Sequence, residues 1–238
     1  MSALKVRVKF AKDGAMKFIG HLDIMRYFQK AIRRAQIPIA FSGGFSPHMI
    51  MSFAAPLGVG VTSSGEYFDM ELKEEMTSKE MEDRLNAAMV DGMKVISVRQ
   101  IPDSKASACM SLVAAADYLV NFREGKEPVD DWKEKLEAFF SQESMVIMRK
   151  TKRSEQETDI KPWIYKWELR GDAVWMQLSQ GSVHNLKPEL VMEAFAKYLG
   201  VELQPFALMV HREEVYADLG TETKHKLVSL EDLGTEIK

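Results

Sequence analysis

Apolar and polar residues follow two periods in the first hundred residues. Leu4, Val6, Val8 and Phe10 alternate with three basic residues, which predicts a half-buried strand. Later segments either alternate in the same way or carry apolar side chains at helical spacing. Together they predict, in chain order, a strand at 4–10, a helix at 22–35, extended segments at 39–41 and 49–54, a strand at 66–72, a helix that begins at Thr77 and a strand at 95–101. This is the order of the split βαβ, ferredoxin-like arrangement.

A second cycle of similar order follows. The pattern predicts a strand at 118–122, a helix at 129–140, a strand at 145–148, a polar loop at 150–158, a hairpin of 164–169 with 173–178, a helix at 188–199 and a last strand at 206–211. We therefore predict an α+β fold of two tandem ferredoxin-like domains, at 1–101 and 116–216. Residues 102–115 are predicted to form a linker. Residues 217–238, which are polar and weakly patterned, are predicted to form a mobile tail.

Composition narrows the function classes. The 238 residues carry a net charge of -3, so a nucleic-acid role depends on a local basic patch. The single cysteine, Cys109, excludes a disulfide framework and a cysteine-based metal or iron–sulfur site within one chain. We predict no cofactor and no metal. The N-terminus lacks the pattern of a signal peptide, and no apolar run approaches the roughly 20 residues of a membrane span. A cytoplasmic protein without a membrane partner is expected.

Four basic residues share one side of the predicted helix at 22–35. Arg26, Lys30, Arg33 and Arg34 fall within a stripe about 100° wide, and Asp23 is the acidic residue of that helix. Like charges at this spacing repel by a few tenths of a kcal/mol per close pair, and bound phosphates would relieve the repulsion. This side of the helix is a candidate nucleic-acid-binding surface. The alternative is a solvated face with cations near a helix C-terminus.

A glycine-containing loop reads Phe-Ser-Gly-Gly-Phe-Ser-Pro-His over residues 41–48. Glycines let backbone N–H groups approach an anion or a base closely. The loop matches neither a P-loop nor a dinucleotide-binding fingerprint, so a simple turn is the alternative. The candidate nucleic-acid contacts in it are Ser42, Gly43, Gly44, Phe45 and Ser46.

Three residues are candidates for acid–base catalysis: His21, Asp23 and His48. We expect the two histidines to lie on the same side of the first domain, within about 10–12 Å, which one substrate group can bridge. In the alternative interpretation, Asp23 stabilises the start of the helix. The spacing matches no metal-ligand signature and no Ser-His-Asp order. A basic run at 149–153, near Trp163 and Tyr165, is a further candidate for tracking a nucleic-acid backbone and stacking a base, and a solvated loop is the alternative.

Several of these segments together resemble one known family. The segments are Lys17-Phe-Ile-Gly-His-Leu-Asp23, Arg33-Arg34-Ala35, Pro38, the whole 41–48 loop, Ser52-Phe53, Pro56-Leu57, Gly60, Thr158-Asp-Ile-Lys-Pro162 and Asn185-Leu-Lys-Pro188. They resemble the radical SAM-linked family, a bacterial domain of unknown function numbered 2344, over about residues 4–215. Members occur alone or fused C-terminally to a radical SAM enzyme. The resemblance implies a partner or substrate-presenting role beside such an enzyme, and it carries over no catalytic residue.

Three functions follow from these observations. The first is an RNA-binding or substrate-presenting module in RNA modification or ribosome maturation, with tRNA or rRNA as the partner. The second is a metal-independent acid–base enzyme that acts on RNA or a nucleotide. The third is a protein–protein adaptor for a radical SAM enzyme, which itself needs a three-cysteine motif that this chain lacks. The predicted strand and helix order also resembles the RNA-processing domains of CRISPR repeat endonucleases, by analogy of fold.

Overall fold

The computed structural model describes residues 4–150, 155–221 and 224–238. In these ranges the α-helices and strands are β1 (Leu4–Lys12), α1 (His21–Arg34), β2 (Met51–Phe53), β3 (Thr62–Leu72), α2 (Ser78–Ala87), β4 (Met93–Ile101), α3 (Cys109–Leu112), β5 (Val113–Phe122), α4 (Trp132–Phe140), β6 (Val146–Lys150), β7 (Glu155–Asp159), β8 (Ile164–Arg170), β9 (Ala173–Ser179), α5 (Pro188–Tyr198), β10 (Leu208–Asp218) and β11 (Leu227–Ser229). The fold is mixed α+β, and the pairings β1–β3, β1–β4, β2–β3, β6–β7, β8–β9 and β10–β11 are antiparallel.

The chain divides into two compact units. The first comprises the chain up to Ala115 together with Arg212–Lys238, and the second comprises Ala116–His211. The predicted linker at 102–115 is therefore part of the first unit. The second domain was predicted to span 116–216, but the second unit ends at His211, because β10 passes from the second unit into the first at Arg212.

In the first unit, β1 lies between β4 and β3 and is antiparallel to both. The strands predicted at 4–10 and 95–101 are thus neighbours in one sheet. β2 pairs with β3 at Phe68–Met70, and β10 lies beside β3 from Arg212 onward. At Gly65 the backbones come so close that an added Cβ would lie 2.5 Å from the carbonyl oxygen of Glu213. This position of β3 therefore requires glycine.

One face of this sheet carries the apolar core. Val6, Val8 and Phe10 of β1 are buried against Phe28 and Ile32 of α1, as the alternation and helical spacing predicted. The rings of Phe10 and Phe28 are 4.7 Å apart between centroids in an edge-on contact. Helix α2 begins as predicted, because the Thr77 hydroxyl accepts a hydrogen bond of 3.1 Å from the Glu80 amide.

The opposite face of the sheet is covered as well. Arg7 is 1% exposed there, and its guanidinium donates to the carbonyl oxygens of Ser107 and Leu230 at 2.6 and 3.0 Å. Segment 102–115 and the described part of the C-terminal segment, residues 219–221 and 224–238, are thereby held on this face. The predicted linker instead contains α3 and the buried Cys109.

The C-terminal segment differs from the predicted mobile tail. β11 pairs with β10 at residues 216–218, and Leu230 is fully buried. Near the end of the chain, Ile237 donates to the Ser78 hydroxyl and accepts from the Ser78 amide. The polar sequence of this segment shows no periodicity, because the segment has no continuous apolar face. Its contacts are made by individual carboxylates, carbonyl groups and a few apolar side chains.

In the second unit the strands follow the order β10-β5-β9-β8, and α4 packs against α5 through Phe139 and Phe195. The predicted hairpin is present as β8 and β9, and β6 pairs with β7 in a separate two-stranded ribbon. Residues 155–158 of the predicted 150–158 loop instead belong to strand β7. β7 is polar and largely exposed, so it has no apolar alternation to reveal it. Among the described residues, no helix is long and apolar enough to cross a membrane.

Candidate functional site

The four basic residues predicted on α1 are exposed, but only two of their side chains have an interaction partner in the described ranges. Arg26 makes an exposed ion pair of 3.2 Å with Asp23, and Arg34 donates to the carbonyl oxygen of Ala88 at 2.8 Å. Lys30 and Arg33 are exposed, and within the described part of the chain neither has an ion-pair or hydrogen-bond partner. We call these four residues the basic face of α1. Its central part carries two positive charges that nothing in the described structure neutralises.

The 41–48 loop is a closed turn with an exposed ring at its tip. Phe41 and Met49 form an isolated bridge, and the Ser42 amide donates to the His48 carbonyl oxygen at 2.9 Å. Gly44 adopts a φ of 95°, which the turn needs and which disfavours other residues. Phe45 is fully exposed. The predicted contact residues therefore form a short loop that holds one aromatic side chain in solvent.

His48 lies at a cavity of about 190 Å³ in the first unit, the His48 cavity. Its walls are largely apolar and include Met49, Met51 and Met70, while Lys5 lies at the same cavity and is paired with Glu71 and Asp103. The imidazole Nδ1 of His48 shares a hydrogen bond of 2.8 Å with the Ser42 hydroxyl. His48 is therefore engaged in holding the loop closed.

His21 lies at a different and smaller cavity of about 20 Å³, the His21 cavity. Its ring stands edge-on to Phe53 at 5.4 Å between centroids, and Lys12 and Glu66 also line the cavity. Burial lowers the pKa of His21 below its usual 6.5, and the Glu66 carboxylate opposes that shift in part. Asp23, the third candidate, is at the surface with Arg26. The structure thus brings His21 together with Lys12 and Glu66.

Lys12 is the most unusual residue of this cavity. It is 2% exposed, and its ammonium donates to the carbonyl oxygen of Ile19 at 2.9 Å. Burial lowers the pKa of Lys12, and Glu66 opposes that effect. Glu66 in turn accepts two hydrogen bonds from Arg212, at 2.7 and 2.5 Å, and Arg212 also reaches the Ala55 carbonyl oxygen at 3.2 Å.

Sequence reasoning did not select Lys12 or Arg212. One signal was available: Lys12 stands two residues after Phe10, so the alternation of β1 extended by one step places a lysine on the apolar face. Arg212 offered no signal, because it is 146 residues from its partner Glu66. Only the folded chain brings that pair together.

The second basic candidate is only partly described, since residues 151–153 of the 149–153 run lie outside the described residues. Arg149 donates to the carbonyl oxygen of Asn185 and lies 5.5 Å from the centroid of the Trp163 ring. The His184 ring stacks on Trp163 at 4.8 Å. Trp163 therefore already has two partners where a stacked base was predicted. No group of three His, Cys, Asp or Glu residues suited to a metal ion occurs in the described ranges.

Comparisons with solved structures give two matches of low similarity. A crystal structure of a Cbf5-Nop10-Gar1 complex matches 88% of this chain at 11% identity with a TM-score of 0.45, and this chain spans about half, 48%, of that chain. A crystal structure of an unknown protein from Galdieria sulphuraria matches 90% of this chain and 99% of its own at 12% identity, with a TM-score of 0.25. Neither likeness assigns a fold or a function to this chain.

No curated protein matches the chain. A family model, by contrast, matches residues 5–188, which include β1, α1, the 41–48 loop and both histidine cavities. The segments that suggested this family in the sequence lie within that match. The chain therefore belongs to the family described as uncharacterized protein conserved in bacteria, DUF2344.

Proposed function

We propose that the first unit binds single-stranded RNA through the basic face of α1, as an RNA-binding or substrate-presenting module. The observation that carries the proposal is the exposure of Lys30 and Arg33 without a partner in the described structure. Phosphates would neutralise these charges and release counterions, which is the main source of affinity in such complexes.

The neighbouring helix shows that this arrangement is not a general property of the surface. On α2, Lys79 pairs with Asp83 and Arg84 pairs with Glu80, each at a spacing of four residues. Such pairs are the usual way in which an exposed helix carries basic residues. α1 has the same exposure and almost no carboxylates, so its charge is available to an external anion.

Phe45 supplies the second contact that single-stranded RNA requires. A fully exposed phenyl ring on a closed glycine-containing loop offers a flat surface on which a base can stack. Ser42 and His48 hold the ends of that loop together. Less conformational freedom is therefore lost when a base binds.

The test is the salt dependence of binding to a short single-stranded RNA, with wild type compared with Lys30→Gln/Arg33→Gln. Each phosphate contact on a single strand contributes about 0.7 to the slope of log K against log salt, so the double variant should lower the slope by about 1.4. The fold should tolerate it, because Phe28 and Ile32 on the buried side are unchanged.

The matched control is Lys79→Gln/Arg84→Gln. It removes the same number of exposed charges from a helix of the same unit, and its salt slope should equal that of wild type. An unchanged slope and affinity in the α1 variant would reject the proposal, and the adaptor function would then take its place.

We propose in addition that both units are ferredoxin-like. The strand order β4-β1-β3, with β2 on β3 and helices between strands, supports this for the first unit, and the order β10-β5-β9-β8 supports it for the second. The identity of the RNA as tRNA or rRNA, the association with a radical SAM enzyme and the cytoplasmic location stay predictions from the sequence and the resemblance.

A further inference from the structure

Buried charged residues from three strands meet around the His21 cavity. Lys12 comes from β1, Glu66 from β3 and Arg212 from β10, and Lys12 and Arg212 are each 2% exposed. Glu66 is 5% exposed and is bound through both oxygens to Arg212. Lys12 makes no ion pair with Glu66 or with any other carboxylate of the described ranges. A buried charge without a counter-charge is costly unless a partner is supplied.

Lys12 also lacks acceptors. Its ammonium has three donors, and in the described structure one of them is used, on the carbonyl oxygen of Ile19. Glu66 influences the charge of Lys12 from a distance, but no hydrogen bond joins the two residues in the described ranges. Two donors of a nearly fully buried lysine therefore point to a missing acceptor.

The start of α1 adds further donors at the same place. Ile19, which binds Lys12, precedes His21, the first residue of the helix, by two positions. The N-cap residue is Gly20, which offers no side chain, and Asp23 is directed to Arg26 instead. The Asp23 amide already donates to the Gly20 carbonyl oxygen at 3.1 Å, which leaves the amides of His21 and Leu22 as the donors without a partner in the described ranges. They lie at the positive end of the helix dipole.

Two separate sequence segments converge on this cavity. His21 belongs to the Gly-His-Leu-Asp segment, and Ala55 and Leu57 belong to the Ala-Pro-Leu-Gly segment. The amide of Gly60 donates to the carbonyl oxygen of Lys17 at 2.8 Å, which fastens the second segment beside the start of α1. His21 and Leu57, both half-buried, form the side of the cavity that reaches solvent.

We propose that the first unit binds an oxyanion, either a phosphate or a carboxylate group, at the mouth of the His21 cavity between Lys12 and the first turn of α1. The cavity of about 20 Å³ holds one water-sized atom group. One oxygen of the ligand therefore enters it to meet the Lys12 ammonium, while the remaining oxygens face His21 and the helix amides. This site is separate from the basic face of α1, and its test does not depend on RNA.

The experiment uses the full-length chain and inorganic phosphate, with chloride adjusted to constant ionic strength and acetate as a second arm. The imidazole resonances of the histidines are followed by NMR across pH. Phosphate should raise the pKa of His21, because a nearby anion favours the imidazolium form. The His48 resonances, which come from another cavity, serve as the internal control. An effect of phosphate alone identifies phosphate as the ligand group, and an equal effect of acetate identifies a carboxylate.

Thermal unfolding supplies the second readout. At ten times its dissociation constant, a ligand multiplies the folding constant by about 11, which raises Tm by about 3–6 °C for a chain of this size. Phosphate also stabilises proteins through exclusion from their surfaces, so the variant Lys12→Met is needed. It removes the ammonium and keeps an apolar chain of similar length, and it should abolish the His21 shift and the specific part of the Tm increase.

Lys17→Met is the matched control, since Lys17 lies next to the same helix terminus but outside the cavity. It should retain the His21 shift. The proposal is overturned if phosphate and acetate leave the pKa of His21 unchanged in wild type, or if Lys12→Met responds as wild type does. Should Lys12→Met fail to fold, the wild-type comparison of His21 with His48 decides the matter.

Discussion

Buried cations in the first unit differ in how many hydrogen-bond acceptors and counter-charges surround them. Arg7 has a carboxylate and two carbonyl oxygens around its guanidinium, whereas Lys12 has one carbonyl oxygen. A buried cation with a full set of acceptors stabilises the fold, because its removal leaves those acceptors unsatisfied. A buried cation with unused donors, beside a histidine and a cavity, marks a place where a ligand is expected.

The thiol of Cys109 provides a prediction at the same scale. Burial raises the pKa of Cys109 to about 12, and the nearby Asp69 carboxylate adds to that shift. Since the thiolate is the reactive form, the native protein should react with a disulfide reagent at neutral pH far more slowly than the unfolded chain does. Labelling with and without denaturant measures this. Equally fast labelling in both would contradict the burial of Cys109.

The exposed ring of Phe45 gives a second residue-scale prediction. Phe45→Ala should weaken RNA binding by about 1–3 kcal/mol, the value of one stacked base, without changing the salt slope. Phe206→Ala is the control, since Phe206 is also highly exposed but belongs to the second unit. Equal affinities for the two variants would remove Phe45 from the RNA site.

At the scale of elements, β1 and β3 are joined by two cross-strand ion pairs in neighbouring positions of one register. Arg7 is opposite Asp69 and Lys5 is opposite Glu71. The first pair is buried and bidentate, at 2.8 and 3.0 Å, and Asp69 also accepts from the Cys109 amide, which ties α3 to the sheet. The second pair is partly exposed at 3.3 Å.

Asp69→Asn should therefore lower the free energy of unfolding by about 3–5 kcal/mol, because it leaves the Arg7 charge buried without a counter-charge. Glu71→Gln, on the same strand, should cost less than about 1 kcal/mol. Urea unfolding of both variants measures the two values. Similar losses for the two would mean that the burial of Arg7 has no energetic consequence.

At the scale of the whole molecule, the C-terminal segment completes the first unit from the far end of the chain. Glu231 accepts a hydrogen bond of 2.9 Å from Lys9, and Lys9 also binds Glu214 at 2.6 Å. Burial by itself would raise the pKa of Glu231, but the Lys9 ammonium and other donors outweigh it and hold that pKa below its usual 4.5. The folded state thus favours the ionised carboxylate more than the unfolded state does.

The sign of the resulting pH dependence follows directly. This contribution to stability is present above about pH 4.5 and is lost as pH falls through the lower pKa of the folded state. Wild type should therefore lose more stability between pH 5 and pH 3 than Glu231→Gln does, as measured by urea midpoints at each pH. Glu202→Gln, which alters an exposed glutamate of the second unit, should behave as wild type. A Glu231 variant with the wild-type pH profile would contradict this coupling.

The element order was predictable because it depends on local periodicity. β1, α1, α2 and the β8–β9 hairpin each bury one face, and the alternation or helical spacing of that face is written in consecutive residues. β7 escaped prediction because it is polar throughout, and β11 because its three residues are too few to show an alternation. Their pairing depends on neighbouring strands and not on a pattern of their own.

The sequence by itself determined the mixed α+β class, the basic face of α1, the exposed 41–48 loop and the family resemblance, all of which depend on residues close together in the chain. The tertiary structure decided that His21 lies with Lys12 and Glu66, that His48 lies at another cavity, and that Arg212 and Leu230 return to complete the first unit. Charge balance in a buried cluster is a sum over residues from distant strands. Sequence spacing carries no information about that sum until the chain has folded.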